Sequence, residues 1–257
     1  DHRSLIGAAS CDTGMNGFLA IISPDSWNAD RVNEDILLKP LDRGTRESVK
    51  RWTYRCLRHA VMTGRLPPGQ AVTITGLAEE LGVSPMPIRE ALHLLVADGA
   101  LEHLDNRRVR VPNMTPEKFD ETISARIALE TVAAERAMPF VDEARLARMQ
   151  VLDAEIDAAY DADDVETGIE RNFAFHRCLY ETRSAAVLLP LIESVWVRLG
   201  PFMREATENL EETYRFDRHA EAMQAIRDRD AAALRQAIIS DIHDGAGYLG
   251  RKRFSGT

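Results

Sequence analysis

Apolar residues recur at helical spacing along most of the chain, broken by a few brief runs that read as extended. Between Thr75 and Gly99 the pattern predicts two short helices joined by a tight turn. Leu77, Ala78 and Leu81 define the first, with Thr75 as its N-cap and Gly82 where it stops. Ser84 caps the second, and Pro85 and Pro87 fall in its first turn, where a missing N–H costs least. Ile88, Leu92 and Leu95 then form an apolar stripe, while Arg89 and His93 share another face one turn apart. A helix over Arg46–Gly64 precedes this unit, with Trp52, Cys56, Leu57, Ala60 and Val61 near one face. RLPPGQAVT follows as a turn into a short extended piece. Leu101–Leu104 and Val109–Val111 are β-prone runs around Asp105–Arg108, a hairpin with Arg107 and Arg108 at its tip.

From Thr115 onward the pattern is all helix, with Thr115, Pro116 and Glu117 as the start signal. Candidate helices cover Phe119–Met138, Asp142–Tyr160, Val165–Thr182, Ala185–Thr207, Leu210–Arg229 and Ala231–Leu249. The prediction is a mostly α chain, an N-terminal winged helix-turn-helix followed by an all-helical bundle of six to seven helices. Residues 43–114 form the winged unit and residues 115–250 the bundle, with a tail over 251–257. Residues 1–42 lack sustained periodicity and do not begin with Met; they read as a flexible arm or appended sequence.

Composition narrows the function classes. At 257 residues, with 45% hydrophobic and 28% charged residues, the chain resembles an ordinary soluble protein, and no apolar run approaches a membrane span. Cys11, Cys56 and Cys178 lie too far apart for a zinc or disulfide pattern, which points to a reducing, cytoplasmic compartment. The net charge of −9 is unevenly spread: residues 43–114 carry 11 Lys and Arg against 7 Asp and Glu. The basic excess therefore falls on the segment with the two short helices, where duplex phosphates would need it.

Two sets of residues carry candidate chemistry. Ser84, Met86, Arg89 and His93 lie on the second short helix, and Arg107 and Arg108 at the hairpin tip; these are the candidate DNA contacts. Arginine can bridge guanine O6 and N7 or fork onto a phosphate, so Arg89 is the first choice; the plainer alternative is a salt bridge to a neighbouring acid. In the bundle, Asn172 and His176 are i and i+4, while His219 and His243 come from later helices. Three imidazoles and an oxygen suit Zn²⁺, Ni²⁺ or another first-row divalent ion, leaving room for water or a ligand carboxylate. The plainer alternative is unrelated histidines on separate faces.

GRLPPGQAVT, LAEELGVSPMPIREALHLLVADGALE, RIALETVAAERA, NFAFH, RHAEAMQAIRDRD and SDIH, in that order, resemble the gluconate-repressor (GntR) family of bacterial regulators in its FCD branch. The resemblance covers roughly residues 46–250. It implies a homodimeric regulator, expected to act as a repressor, on a double-stranded operator, with a helical domain that senses a small carboxylate through a divalent metal ion. It also implies an Arg-x-x-x-Glu pair, here Arg126 and Glu130, as the effector contact; on spacing alone this is an intrahelical ion pair. Three positions depart from the family. Pro85 replaces an arginine that often opens the reading helix, Arg108 replaces a wing glycine, and Asn172 stands at the usual metal-binding aspartate. Two rivals follow: a metal-dependent hydrolase built on the three histidines, and a DNA binder with a degenerate pocket.

Overall fold

The computed structural model describes residues 38–105, 108–182, 185–207 and 218–246. Arg107, residues 1–37 of the arm and the tail over 251–257 lie outside the described residues. The N-terminal part holds α1 (Val49–Met62), α2 (Ile74–Leu81) and α3 (Pro85–Ala97), with β1 (Ala71–Thr73), β2 (Glu102–His103) and β3 (Arg108–Arg110) in an antiparallel sheet of order β1-β3-β2. The bundle follows as α4 (Pro116–Ala137), α5 (Glu143–Asp161), α6 (Val165–Tyr180), α7 (Leu188–Thr207), α8 (Arg218–Asp228) and α9 (Ala231–Asp244).

Local chemistry sets the helix ends. Thr73, not Thr75, caps α2: β1 runs straight into the helix, so Thr73 has the extended backbone and accepts from the Gly76 N–H at 3.0 Å. Gly82 stops α2 in the left-handed conformation at φ +63°, which only glycine adopts without penalty. Ser84 has the backbone of an N-cap but makes no side-chain capping bond. The residue three beyond it, a usual donor, is Pro87, which has no N–H. Thr115, Asp142, Asp164 and Asp230 cap α4, α5, α6 and α9.

Two cores result. The first packs Trp52, Leu57 and Val61 of α1 against Leu77, Ile88, Leu95 and Val109, and takes in Val197 from α7. The second gathers the apolar faces of α4 to α9 around Met149, Ile156, Phe175, Leu179, Trp196 and Ile238. Where α1 and α7 cross, a Cβ on Gly200 would stand 2.5 Å from the Met62 backbone, so glycine is what permits the approach. Ion pairs flank the crossing: Arg58 with Glu193 at 3.3 Å, and Arg65 with Glu166. No helix among the described residues is long and apolar enough to cross a membrane.

Candidate functional site: an exposed helix face and a buried histidine cluster

The first candidate surface is built by α3. Ile88, Leu92 and Leu95 turn inward, so the helical period leaves Ser84, Met86, Arg89 and His93 exposed. Met86 is 61% exposed, an unusual place for a large apolar side chain. Among the described residues no ion pair holds Arg89; the neighbouring Glu90 reaches instead to Lys50 at 3.1 Å. Arg108 is exposed at the start of β3, and Arg110 pairs across the hairpin with Glu102 at 2.6 Å. His103 was not among the sequence candidates. It lies opposite Val109 in the ladder, hence on the sheet face that turns toward α3, and its ring meets that of His93 edge-on at 5.7 Å. Helix α3 and the hairpin are thus joined by two imidazoles.

The second site is interior and joins α4, α5, α6, α8 and α9. His176 and His219 are almost wholly buried and converge with Asp241, one ligand-type atom from each lying within 4.8 Å of the others. His176 Nε2 is 3.1 Å from one Asp241 oxygen and His219 Nε2 is 3.6 Å from the other, yet neither is aligned for a hydrogen bond. The opposite ring atoms are anchored. His219 Nδ1 lies 2.7 Å from Asp153, and His176 Nδ1 lies 3.3 Å from the Tyr180 hydroxyl, which itself donates to Glu130 at 3.0 Å. Both anchors accept a proton, so in the neutral rings Nδ1 carries the hydrogen and Nε2 presents a bare lone pair. Two lone pairs then face a carboxylate, an arrangement that repels itself unless a cation sits between them. Phe175 stacks on the His219 ring at 3.9 Å and fixes its plane. Burial opposes ionisation of Asp241, but the two imidazoles, wherever they are protonated instead of neutral, and Arg126 further away hold its carboxyl well below the usual carboxylate range.

The cluster in the structure differs in one member from the metal set expected from sequence. His243 is exposed on α9, whereas Asp241 joins His176 and His219. The inward stripe of α9 runs through Leu234, Ala237, Ile238 and Ile242, and three or four residues beyond Ile238 and Ala237 falls Asp241; His243 turns to the other side. Asn172, one turn before His176, is half-buried, and no described hydrogen bond joins it to the other three.

Beside this cluster Arg126 and Glu130 form a buried pair, Arg126 Nε to Glu130 Oε1 at 2.6 Å. The same carboxylate accepts from Trp196 Nε1 at 2.8 Å and from Tyr180, so three donors occupy it. Glu130 thus holds three neighbours, while Arg126, bound through Nε, keeps its two terminal nitrogens out of that bond. Trp196 and Tyr180 play two parts: apolar bodies in the core, with polar tips on Glu130.

Comparison with known proteins gives a consistent result. Residues 50–111 match the model described as bacterial regulatory proteins, gntR family, and residues 121–244 match the FCD domain. The HTH-type transcriptional regulator McbR of Escherichia coli (strain K12) is 30% identical over 196 residues, 75% of this chain and 89% of that one. The gluconate operon transcriptional repressor of Bacillus subtilis (strain 168) is 25% identical over 198 residues, 73% of this chain and 79% of its own. The solved E. coli McbR/YncC superposes with a TM-score of 0.74 at 27% identity, covering 80% of this chain and 99% of that one.

Proposed function

The chain belongs to the GntR family of bacterial transcriptional regulators, in its FCD branch, and from that premise we propose a homodimeric repressor whose operator affinity is set by a divalent cation and a small carboxylate. The family consists of DNA-binding regulators, so the hydrolase reading gives way. In the proposed complex, each winged unit lays α3 in the major groove of one half-site of a pseudo-palindromic operator. Arg89 reads a base edge and Arg108 contacts the backbone beside the wing. The helical domains supply the dimer contact, and the protein works in the cytoplasm.

The observation that carries the sensing half is the convergence of the buried His176 and His219 rings with Asp241, with His176 Nε2 buried and making no hydrogen bond. Two imidazoles and a carboxylate suit a first-row divalent ion such as Zn²⁺ or Ni²⁺ and leave coordination positions open. The ion would supply positive charge between the neutral imidazoles and Asp241 and a Lewis-acidic point for a carboxylate oxygen. Arg126 would orient the same ligand through its terminal nitrogens, and Asp153 and Tyr180 hold the two imidazoles in their binding tautomers. Ligand binding shifts operator affinity by the difference in its affinity for the two placements of the winged units.

Protein purified without chelator should carry one divalent ion per chain by elemental analysis. His219→Ala should lose it, with little change in affinity for a duplex selected from a randomised pool. A wild-type chain that binds neither Zn²⁺ nor Ni²⁺ by calorimetry would instead mark a DNA binder with a degenerate pocket.

A further inference from the structure

Helix α7 carries two separate stripes. Leu189, Ile192, Trp196 and Leu199 pack into the core of the helical domain. Glu193, Val197, Gly200 and Arg204, spaced four, three and four apart, face the winged unit instead. Glu193 pairs with Arg58, Val197 is 1% exposed inside the first core, Gly200 meets the Met62 backbone, and the Arg204 side chain covers Gly64. Between them Arg198 donates from Nε to the carbonyl of Asp98 at 2.6 Å, and its guanidinium lies over Gly99. Asp98 is the C-cap of α3, so this bond ends on the DNA-reading helix itself.

The first stripe also touches the interior site. Trp196 donates to Glu130, and its ring packs 5.1 Å from Phe173 and 6.2 Å from His176. Trp196 and Val197, adjacent in the chain, are thus buried in different cores. Trp196 and Val197 share one helical turn ahead of Pro201, so a displacement of Trp196 is carried to the second stripe rather than absorbed between two neighbours. Because Gly200 sits at backbone contact with α1, that displacement has no slack to disappear into at the crossing.

We propose that α7 relays the state of the Arg126–Glu130–His176 site to the reading helix, with Trp196 as the input and Val197, Arg198 and Gly200 as the positioning residues at the output. The identity of the signal rests on the cation-and-carboxylate reading above; the mechanical coupling does not. The test therefore needs no ligand. In full-length Trp196→Phe an aromatic ring remains, but the N–H bond to Glu130 and part of the buried indole volume are both lost. Amide hydrogen exchange at residues 62–66 and 98–101, far from the altered atom, should then quicken about five-fold or more, while β1 is unaffected. Tyr180→Phe, which removes a second donor to Glu130 and leaves the ring beside Trp196 in place, should act on the same amides and serves if the tryptophan variant folds poorly. Gly200→Ala should loosen residues 62–66 and, because coupling is reciprocal, quicken exchange around Glu130 as well. Arg198→Ala should loosen 98–101 alone, and Arg198→Lys should restore part of the protection. Reader amides that exchange as in the wild type in both Trp196→Phe and Tyr180→Phe would overturn the relay. A chain that binds no ion but shows the coupling would sink the sensor reading and leave the relay standing.

Discussion

Replacing Glu130 by glutamine keeps the side chain's shape and removes its charge, which isolates what the buried carboxylate does. Arg126 is 4% exposed and Glu130 fully buried, so the substitution strands a guanidinium in the interior. Tyr180 can turn its hydroxyl to accept from the new amide, and Trp196 keeps an acceptor oxygen, so the uncompensated arginine dominates. Breaking a buried pair from one side costs about 3–5 kcal/mol, a large part of an ordinary domain's stability. For a chain of this size that corresponds to a drop of roughly 6–20 °C in Tm. Urea unfolding followed by circular dichroism measures the free energy directly, and thermal melts give the second number. Arg126→Met combined with Glu130→Leu removes both charges and refills the volume, so it should recover most of the loss. The reasoning fails if Glu130→Gln costs less than about 1 kcal/mol, the range of an exposed pair. It fails equally if the double variant is no better than the single one.

Arg89→Ala should abolish sequence-specific duplex binding in a gel-shift assay while leaving the oligomer intact by light scattering; retained specificity would exclude Arg89 as the principal base reader. Met86, exposed between two prolines that offer no N–H, is suited to an apolar contact with a thymine methyl. Replacing the thymine beneath it by deoxyuridine should weaken binding about 3-fold or more, and Met86→Ala should erase that difference. Burial pushes the Tyr160 phenol up to about 12 and that of Tyr180 well above its ordinary 10. The unfolded chain releases these protons near 10, so the native state holds more protons above that pH and stability falls as pH rises. Absorbance at 295 nm should show phenols that ionise only with alkaline unfolding; full titration near 10 in the folded chain would count against their burial.

Helix α3 and its exposed face were legible because their signals are local: apolar residues at 88, 92 and 95 force 89 and 93 outward whatever the rest of the chain does. The interior site was legible only in part. His176 and His219 stand out by residue type, but nothing in the spacing of two distant helices says which residue of a third will meet them. Preference for a histidine selected position 243, although the apolar period of α9 already turned 241 inward. That period was the available signal, and an aspartate on an otherwise apolar stripe was the clue. The cap of α2 shifted from Thr75 to Thr73 for a different reason. Two threonines in TIT offer the same hydroxyl, and the pairing of β1 with β3 decides which of them keeps an extended backbone. The contact of His93 with His103 depends on ladder register, which no run this short fixes by itself.

Val197 has a consequence for anyone who would transplant the reading head of this regulator. The apparent seam lies after the third strand, near residue 112, where a chimera would naturally be cut. A graft made there would leave behind a side chain that fills the interior of the transferred piece, together with the glycine that lets the two helices meet. The borrowed head would carry a hole the size of a valine side chain and an uncovered face along its first helix. The unit that can be moved intact is therefore discontinuous in the chain: the winged fold plus a matching surface from the middle of α7.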